Sequence, residues 1–248
     1  MNKTEKIDLP PAGKGVRNLK LKDQLPNCEI IINKNLYNLA ELVKNKRVID
    51  IGCGYGRNKI IVEKNGGSWV GVDLIAKQSN VVVGSAEKLP FDECSFDVVI
   101  MDAVLEHIPN VSKAFEEVSR VLKPNGIFIG YVAFMESYHE ISYSHLSFKA
   151  LEYYADKYNM KLNKISGGSA FGIDYHLAVL LYPSPTKYLR RIVSFLIRSI
   201  TLLKSKLSYL YLRILRKETK IKSKELAVKY YQLECLKMSS GFSFIIKK

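Results

Sequence analysis

The sequence predicts an α/β fold built on a doubly wound, mostly parallel sheet, and three observations carry that expectation. Short apolar, β-branched runs recur between Val48 and Ile129, each about the length of one buried strand. Segments with apolar residues at helical spacing lie between them, so strand and helix alternate. The first run, Val48-Ile49-Asp50-Ile51, ends in Gly52-Cys53-Gly54-Tyr55-Gly56-Arg57, a glycine-rich turn into a helix at the carboxyl end of a strand.

Taken in order, residues 1–32 read as an arm or lid, with Pro10-Pro11, Gly13, Gly15 and Pro26 and little periodicity. Residues 33–44 carry Leu36, Leu39, Ala40 and Val43 at helical spacing, a helix expected to cover the sheet before its first strand. Glycines at 52, 54 and 56 let the backbone turn tightly and approach a ligand without a Cβ in the way. Residues 58–65 form the following helix, whose free N–H groups face that ligand. The arrangement suits a nucleotide-like cofactor. It departs from the dinucleotide fingerprint Gly-x-Gly-x-x-Gly, because the third glycine comes one residue early and Arg57 takes its place.

A second strand, Ser68-Trp69-Val70-Gly71-Val72-Asp73, ends in an acid about twenty residues on, where a ribose-binding carboxylate belongs. Gly84-Ser85-Ala86-Glu87-Lys88-Leu89-Pro90-Phe91 is a loop. Phe96-Asp97-Val98-Val99-Ile100-Met101-Asp102 is a further strand, followed by Leu105-Glu106-His107, and Val121-Leu122-Lys123-Pro124-Asn125-Gly126 turns into a strand through Ile129. In this order the motifs resemble the class I S-adenosylmethionine-dependent methyltransferases of the small-molecule branch. The resemblance implies a seven-stranded sheet whose last strand is antiparallel, with S-adenosyl-L-methionine as cofactor.

By the same resemblance Gly52, Cys53, Gly54 and Gly56 cradle the methionine part, while Asp50 orders that loop and the cofactor's amino end. Asp73 takes the ribose hydroxyls, Leu74 packs on adenine, and Ala86 and Glu87 line its edge. Ser85 stands where the family often has an aspartate for the adenine amine; a hydroxyl accepts that bond less strongly than a carboxylate. Asp102 completes the cofactor-binding set. No metal site is expected.

Past the strand ending near Ile129, residues 131–145 hold Tyr131, Tyr138, Tyr143, His139 and His145, at the end of the sheet where an acceptor should meet the methyl group. His139 and His145 are the candidate catalytic bases, from position and ordinary pKa range. His107 reads as structural. Ser147 is a plausible N-cap for a helix to Tyr158, and residues 160–165 fit the sixth strand. Residues 241–248 resemble the family's final strand. The methyltransferase domain is therefore expected over residues 33–169 and 240–248, with residues 170–239 a basic helical insertion between strands six and seven.

Within the insertion Leu189, Val193, Leu196, Ile200, Leu203, Leu207, Leu210 and Ile214 recur at spacings of four and three, one apolar stripe along a helix. Lys187, Arg191, Arg198, Arg213 and Arg216 fall towards the other side, and residues 175–217 contain no acid. At about 1.5–3 kcal/mol for each buried side chain, such a face needs a covering. Its own domain, an anionic membrane surface met by residues 187–217, and a second copy of the chain in a coiled-coil seam are three coverings, and the sequence leaves all three open.

The formal net charge of +14 resides in the tail: residues 175–248 hold 16 basic and 3 acidic residues. Four cysteines without Cys-x-x-Cys spacing read as free thiols in a reducing compartment. No run of apolar residues is long enough to span a bilayer, and residues 1–6 lack a signal-peptide core. The sequence thus points to a cytoplasmic enzyme that methylates a small-molecule or lipid-linked acceptor, saccharide or quinone-like; a peripheral place at the inner face of the cell membrane goes with the second of the three coverings. Rival readings are a nucleic-acid (RNA) methyltransferase, disfavoured because no Asn/Asp-Pro-Pro-Tyr element occurs, and a noncatalytic S-adenosylmethionine-binding module. A homodimer is compatible with the stripe.

Overall fold

A computed structural model describes residues 24–32, 35–76, 81–136, 141–167 and 187–248. Its strands are β1 (Glu29–Ile31), β2 (Arg47–Ile51), β3 (Ser68–Asp73), β4 (Val81–Val83), β5 (Phe96–Asp102), β6 (Leu122–Ala133), β7 (Lys161–Ser166) and β8 (Gly241–Lys247). They form one sheet in the order β1-β7-β8-β6-β5-β2-β3-β4. All pairs are parallel except those of β8, which runs antiparallel between β6 and β7. The fold is the mostly parallel α/β sheet with an antiparallel last strand that the sequence predicts. It has eight strands rather than seven, because Glu29–Ile31 adds β1 to the open edge of β7.

Alternation along each strand explains why both faces are covered. Successive side chains point to opposite faces. Ile49, Val99, Met101, Phe128, Phe242 and Phe244 enter one apolar cluster, whereas Val48, Val98, Ile100, Ile129 and Ile245 enter the other. Strands apolar at every position therefore demand helices on both sides. Helix α1 (Leu39–Leu42) and α2 (Lys59–Lys64) serve the second cluster. Helix α3 (Val111–Val121) and α4 (Phe148–Lys157) serve the first.

Caps decide where these helices start. Asn110 Oδ1 accepts the Lys113 N–H at 3.1 Å and opens α3, which then buries Val111, Ala114, Phe115, Val118 and Val121 along one face. Ser147 Oγ accepts the Ala150 N–H at 3.2 Å, the cap expected for α4. The helix expected over residues 33–44 is shorter: Asn38 Oδ1 accepts the Ala40 N–H and starts α1 only at Leu39, and Asn45 at φ 56° lies just past its end. Leu36 and Tyr37 still pack against the second cluster, from the irregular segment before the helix.

Between β7 and β8 the chain forms α5 (Lys187–Ile214) and α6 (Lys220–Lys237), the helical insertion at the expected place. Leu233 and Leu236 of α6 join the first apolar cluster, and α5 lies along α6. No helix among the described residues is long and apolar enough to cross a membrane.

Phe244 on the central antiparallel strand is fully buried and meets Phe128 edge-to-face with ring centroids 4.9 Å apart. Phe244→Ala should lower stability by about 3–5 kcal/mol. Urea unfolding should show this as an earlier midpoint at unchanged slope.

Candidate active site

The site is built where β2 stops. The Gly52 N–H still bonds Val72 O at 2.7 Å, so the chain leaves the strand alongside β3 and then turns. Gly52 takes φ +68°, and a Cβ there would meet Val104 Cγ2 at 2.5 Å; only glycine lets the segment after β5 close over the turn. Gly54 takes φ +53° with open space where its Cβ would be, and its N–H donates to Asp73 Oδ2 at 2.8 Å. Asp73 Oδ1 also accepts the Ile75 N–H at 3.3 Å. One carboxylate at the end of β3 thus holds both the glycine loop and its own turn.

Behind the loop, Asp50 is buried, with Trp69 Nε1 donating at 3.2 Å and Asn58 Nδ2 at 3.3 Å. Burial pushes its carboxyl up from 3.8 to about 6, opposed by the Trp69 and Asn58 donors. Asp50 therefore ties β2 to β3 and to the start of α2. Cys53 is also buried, under Gly71, and Gly56 is buried with its N–H on Cys53 O at 2.8 Å.

In front of the loop lies a cleft of about 330 Å³, the size of a small-ligand site. Of the residues singled out in the sequence, it gathers Gly52, Asp73, Leu74, Ser85, Ala86 and Glu87. Ser85 Oγ already accepts the Glu87 N–H at 3.1 Å, a local turn of the kind short polar side chains make. Glu87 Oε1 accepts the Asn110 N–H at 2.8 Å, which ties this loop to the start of α3.

Sequence reasoning missed the cleft's opposite wall: Ala103, Val104, His107, Ile108 and Pro109. His107 lines it while its Nδ1 sits 2.8 Å from Ile141 O, holding the 141–144 segment close. The same segment is fixed by the Tyr143 N–H on Glu106 O at 2.7 Å. Ala103 at φ +58°, the residue directly after a strand-ending Asp, is a backbone feature with no signature in the sequence.

Asp102 lies elsewhere, in a neighbouring cavity of about 290 Å³ with Asn35, Leu36, Tyr37, Tyr131, Ser166 and Ser243. Strand register explains the polar floor: Asp102 pairs with Tyr131, Tyr131 with Ser243, and Ser243 with Ser166, so four adjacent strands put polar side chains in one row on one face. Arg57, the residue after the glycine loop, forms an ion pair with Asp102. The Tyr131 hydroxyl donates to Glu136, and burial followed by that carboxylate pushes its pKa well above the ordinary phenol range. Burial, with Asp102 second, raises Tyr37 to about 12.

His145 is half-buried behind the 141–144 segment, where the Leu146 N–H bonds Ala133 O at 3.1 Å, and it lines neither cavity. His139 lies outside the described residues. Among the described residues no group of His, Cys, Asp and Glu is placed to hold a metal ion.

Residues 49–130 match the methyltransferase-domain family. Sterol 4-C-methyltransferase strm-1 of Caenorhabditis elegans is 31% identical over 139 residues, half of this chain and 40% of that protein. Demethylmenaquinone methyltransferase of Staphylococcus aureus is 33% identical over 102 residues, 35% of this chain and 42% of that one. The chain spans less than half the length of the curated relatives it matches. In fold it is similar to a putative sarcosine dimethylglycine methyltransferase from Galdieria sulphuraria, with a TM-score of 0.50 and 14% identity over 85% of this chain and 81% of that one.

Asp50→Asn tests the buried tether. Its raised pKa means that the folded state binds a proton more tightly than the unfolded chain does. Stability should therefore fall as pH rises from about 4 to about 6, by on the order of 1–3 kcal/mol. Urea titrations across that window should show this decline in the wild type and a flatter profile in Asp50→Asn. An identical slope in both would assign the titration to another group.

Asp73→Ala removes the carboxylate shared by the glycine loop and the cleft. By calorimetry it should weaken S-adenosylhomocysteine binding about tenfold to a hundredfold, the worth of one charge-assisted contact. A folded variant with unchanged affinity would place the nucleoside elsewhere.

Proposed function

We propose that this chain moves a methyl group from S-adenosyl-L-methionine to a small-molecule or lipid-linked acceptor at the inner surface of the cell membrane, a reading that proceeds from the match of residues 49–130 to the methyltransferase-domain family. The observation that carries the reading is the Gly54 N–H···Asp73 bond at the mouth of the cleft. It sets an open stretch of glycine backbone beside a carboxylate.

The residues present fit that cofactor. A carboxylate has about four acceptor positions, and Asp73 gives two to the Gly54 and Ile75 N–H groups, which leaves two for a ribose diol. Leu74 is exposed at the cleft and Ala86 is buried at its floor, an apolar pair for a flat base. The open space over Gly54 suits the methionine part. When bound, S-adenosylmethionine supplies a methyl group already activated by its sulfonium.

The chain's own work is then placement, which is worth up to about 7–11 kcal/mol of a barrier. The row Asp102, Tyr131, Ser243 and Ser166 beside the cleft is the proposed acceptor floor. Its hydroxyls and carboxylate suit a hydroxyl-bearing, saccharide-like acceptor better than a flat quinone. Tyr131 keeps its proton on Glu136, so it orients an acceptor rather than deprotonating it. His139 is the proposed base for a hydroxyl acceptor, by its position past β6, and His145 is the second candidate. Relatives named for a sterol and for demethylmenaquinone support an acceptor with a lipid part.

Incubation with radiolabelled S-adenosylmethionine and separate membrane and soluble extracts should transfer label to a lipid-extractable product. Tyr131→Phe should lower that turnover about tenfold, one hydrogen bond's worth, with cofactor affinity unchanged. Label confined to RNA or protein, or none in any fraction, would overturn the acceptor class.

A further inference from the structure

The long helix α5 buries the side opposite to its apolar stripe. Thr201 is 3% exposed, and Ser205 Oγ donates to Ala227 O of α6 at 2.8 Å, so the side of α5 that carries Thr201 and Ser205 faces α6. The stripe turns away from that side. Leu196, Ile200, Leu203, Leu207, Leu210 and Ile214 are between 48 and 67% exposed, a row about 27 Å long at 1.5 Å per residue. Towards the start of the helix Val193 of the stripe is half-buried, and Leu189 lies outside the described side chains. Of the three coverings the sequence allows, α6 takes the wrong side of the helix to be one.

We infer that this face docks on the surface of an anionic bilayer, with α5 lying in the plane of the headgroups. The inference rests on the membrane setting of the proposed function and supplies its contact surface. Charge selects the occupant. At 3.6 residues per turn, Lys204 borders the stripe on one side and Lys206 on the other, placed to reach up to phosphates while the leucines enter the acyl boundary. Residues 175–217 contain no acid. The three acids of the tail are each engaged by a lysine: Glu218 by Lys222, Glu225 by Lys229 and Glu234 by Lys237.

A second α5 would bring the same basic borders and no carboxylate to meet them, whereas seams of paired helices draw on opposite charges at those positions. Anionic lipid offers the negative charge that α5 lacks. Because no described helix is long and apolar enough to cross, the helix lies on the membrane.

The full chain should co-sediment with vesicles of phosphatidylglycerol in phosphatidylcholine, bind pure phosphatidylcholine at least about tenfold less, and lose affinity as salt rises. Leu203→Glu with Leu207→Glu changes two exposed positions, and Lys204→Glu with Lys206→Glu reverses the borders. Each pair should weaken vesicle binding about tenfold or more and leave S-adenosylhomocysteine binding unchanged. A Leu203→Trp variant should shift its emission to the blue when phosphatidylglycerol vesicles are added.

No binding to anionic vesicles, equal binding to neutral ones, an unshifted tryptophan, or a wild-type dimer that Leu203→Glu with Leu207→Glu makes monomeric would each overturn the inference. Vesicle binding and methyl transfer are read separately. Intact turnover without vesicle binding removes only the docking surface, and vesicle binding without turnover removes only the proposed reaction.

Discussion

One backbone-to-carboxylate bond, from Gly54 to Asp73, holds the working end of the molecule together. It joins the turn after β2 to the last residue of β3, and so sets where the open glycine backbone lies relative to the carboxylate in the cleft. Other features depend on that geometry. Val104 closes over Gly52 only because the turn is bare. Asp50, sealed beneath with Trp69 and Asn58, keeps β2, β3 and the start of α2 from sliding past one another. A buried carboxylate is a costly tether, and its partners are two donors and no cation.

The sheet was legible because its strands are apolar at almost every position and its glycines sit at the strand end. The uninterrupted apolar run Val98-Val99-Ile100-Met101, whose successive side chains point to opposite faces, already encodes two covered faces. The cleft was half legible. Asp73, Leu74, Ser85, Ala86 and Glu87 fall next to recognisable turns, whereas Ala103 and Val104 reach the cleft through a positive φ that an Asp-Ala dipeptide does not announce. Asp102 illustrates a different limit. Its position at the end of β5 is plain, but only the pairing with Tyr131, Ser243 and Ser166 assigns it to the neighbouring cavity. Register across strands far apart in sequence is tertiary information.

Two elements depart from the sequence expectation for different reasons. Residues 33–44 have helical spacing, yet the Asn38 cap leaves only one turn, since a local side-chain bond overrides weak propensity. Glu29–Ile31 has no strand signal beyond two isoleucines, and it is a strand because β7 offers an unpaired edge. Periodicity also located the stripe of α5 without revealing its direction, which follows from the small residues Thr201 and Ser205 on the other side.

The sheet's closure carries a consequence for how such a chain folds and diversifies. Ser166 and Ser243 are register partners, although the whole α5–α6 excursion separates them. Bringing them together closes a long loop at an entropic cost, whereas the two insertion helices meet each other across a short connection. The cost grows only with the logarithm of the excursion: doubling it adds about 0.6 kcal/mol. Apart from the few α6 side chains that reach the sheet, the excursion can be lengthened, shortened or exchanged while β7 and β8 still meet. The cleft end of such a protein and its helical excursion can therefore evolve as separate modules.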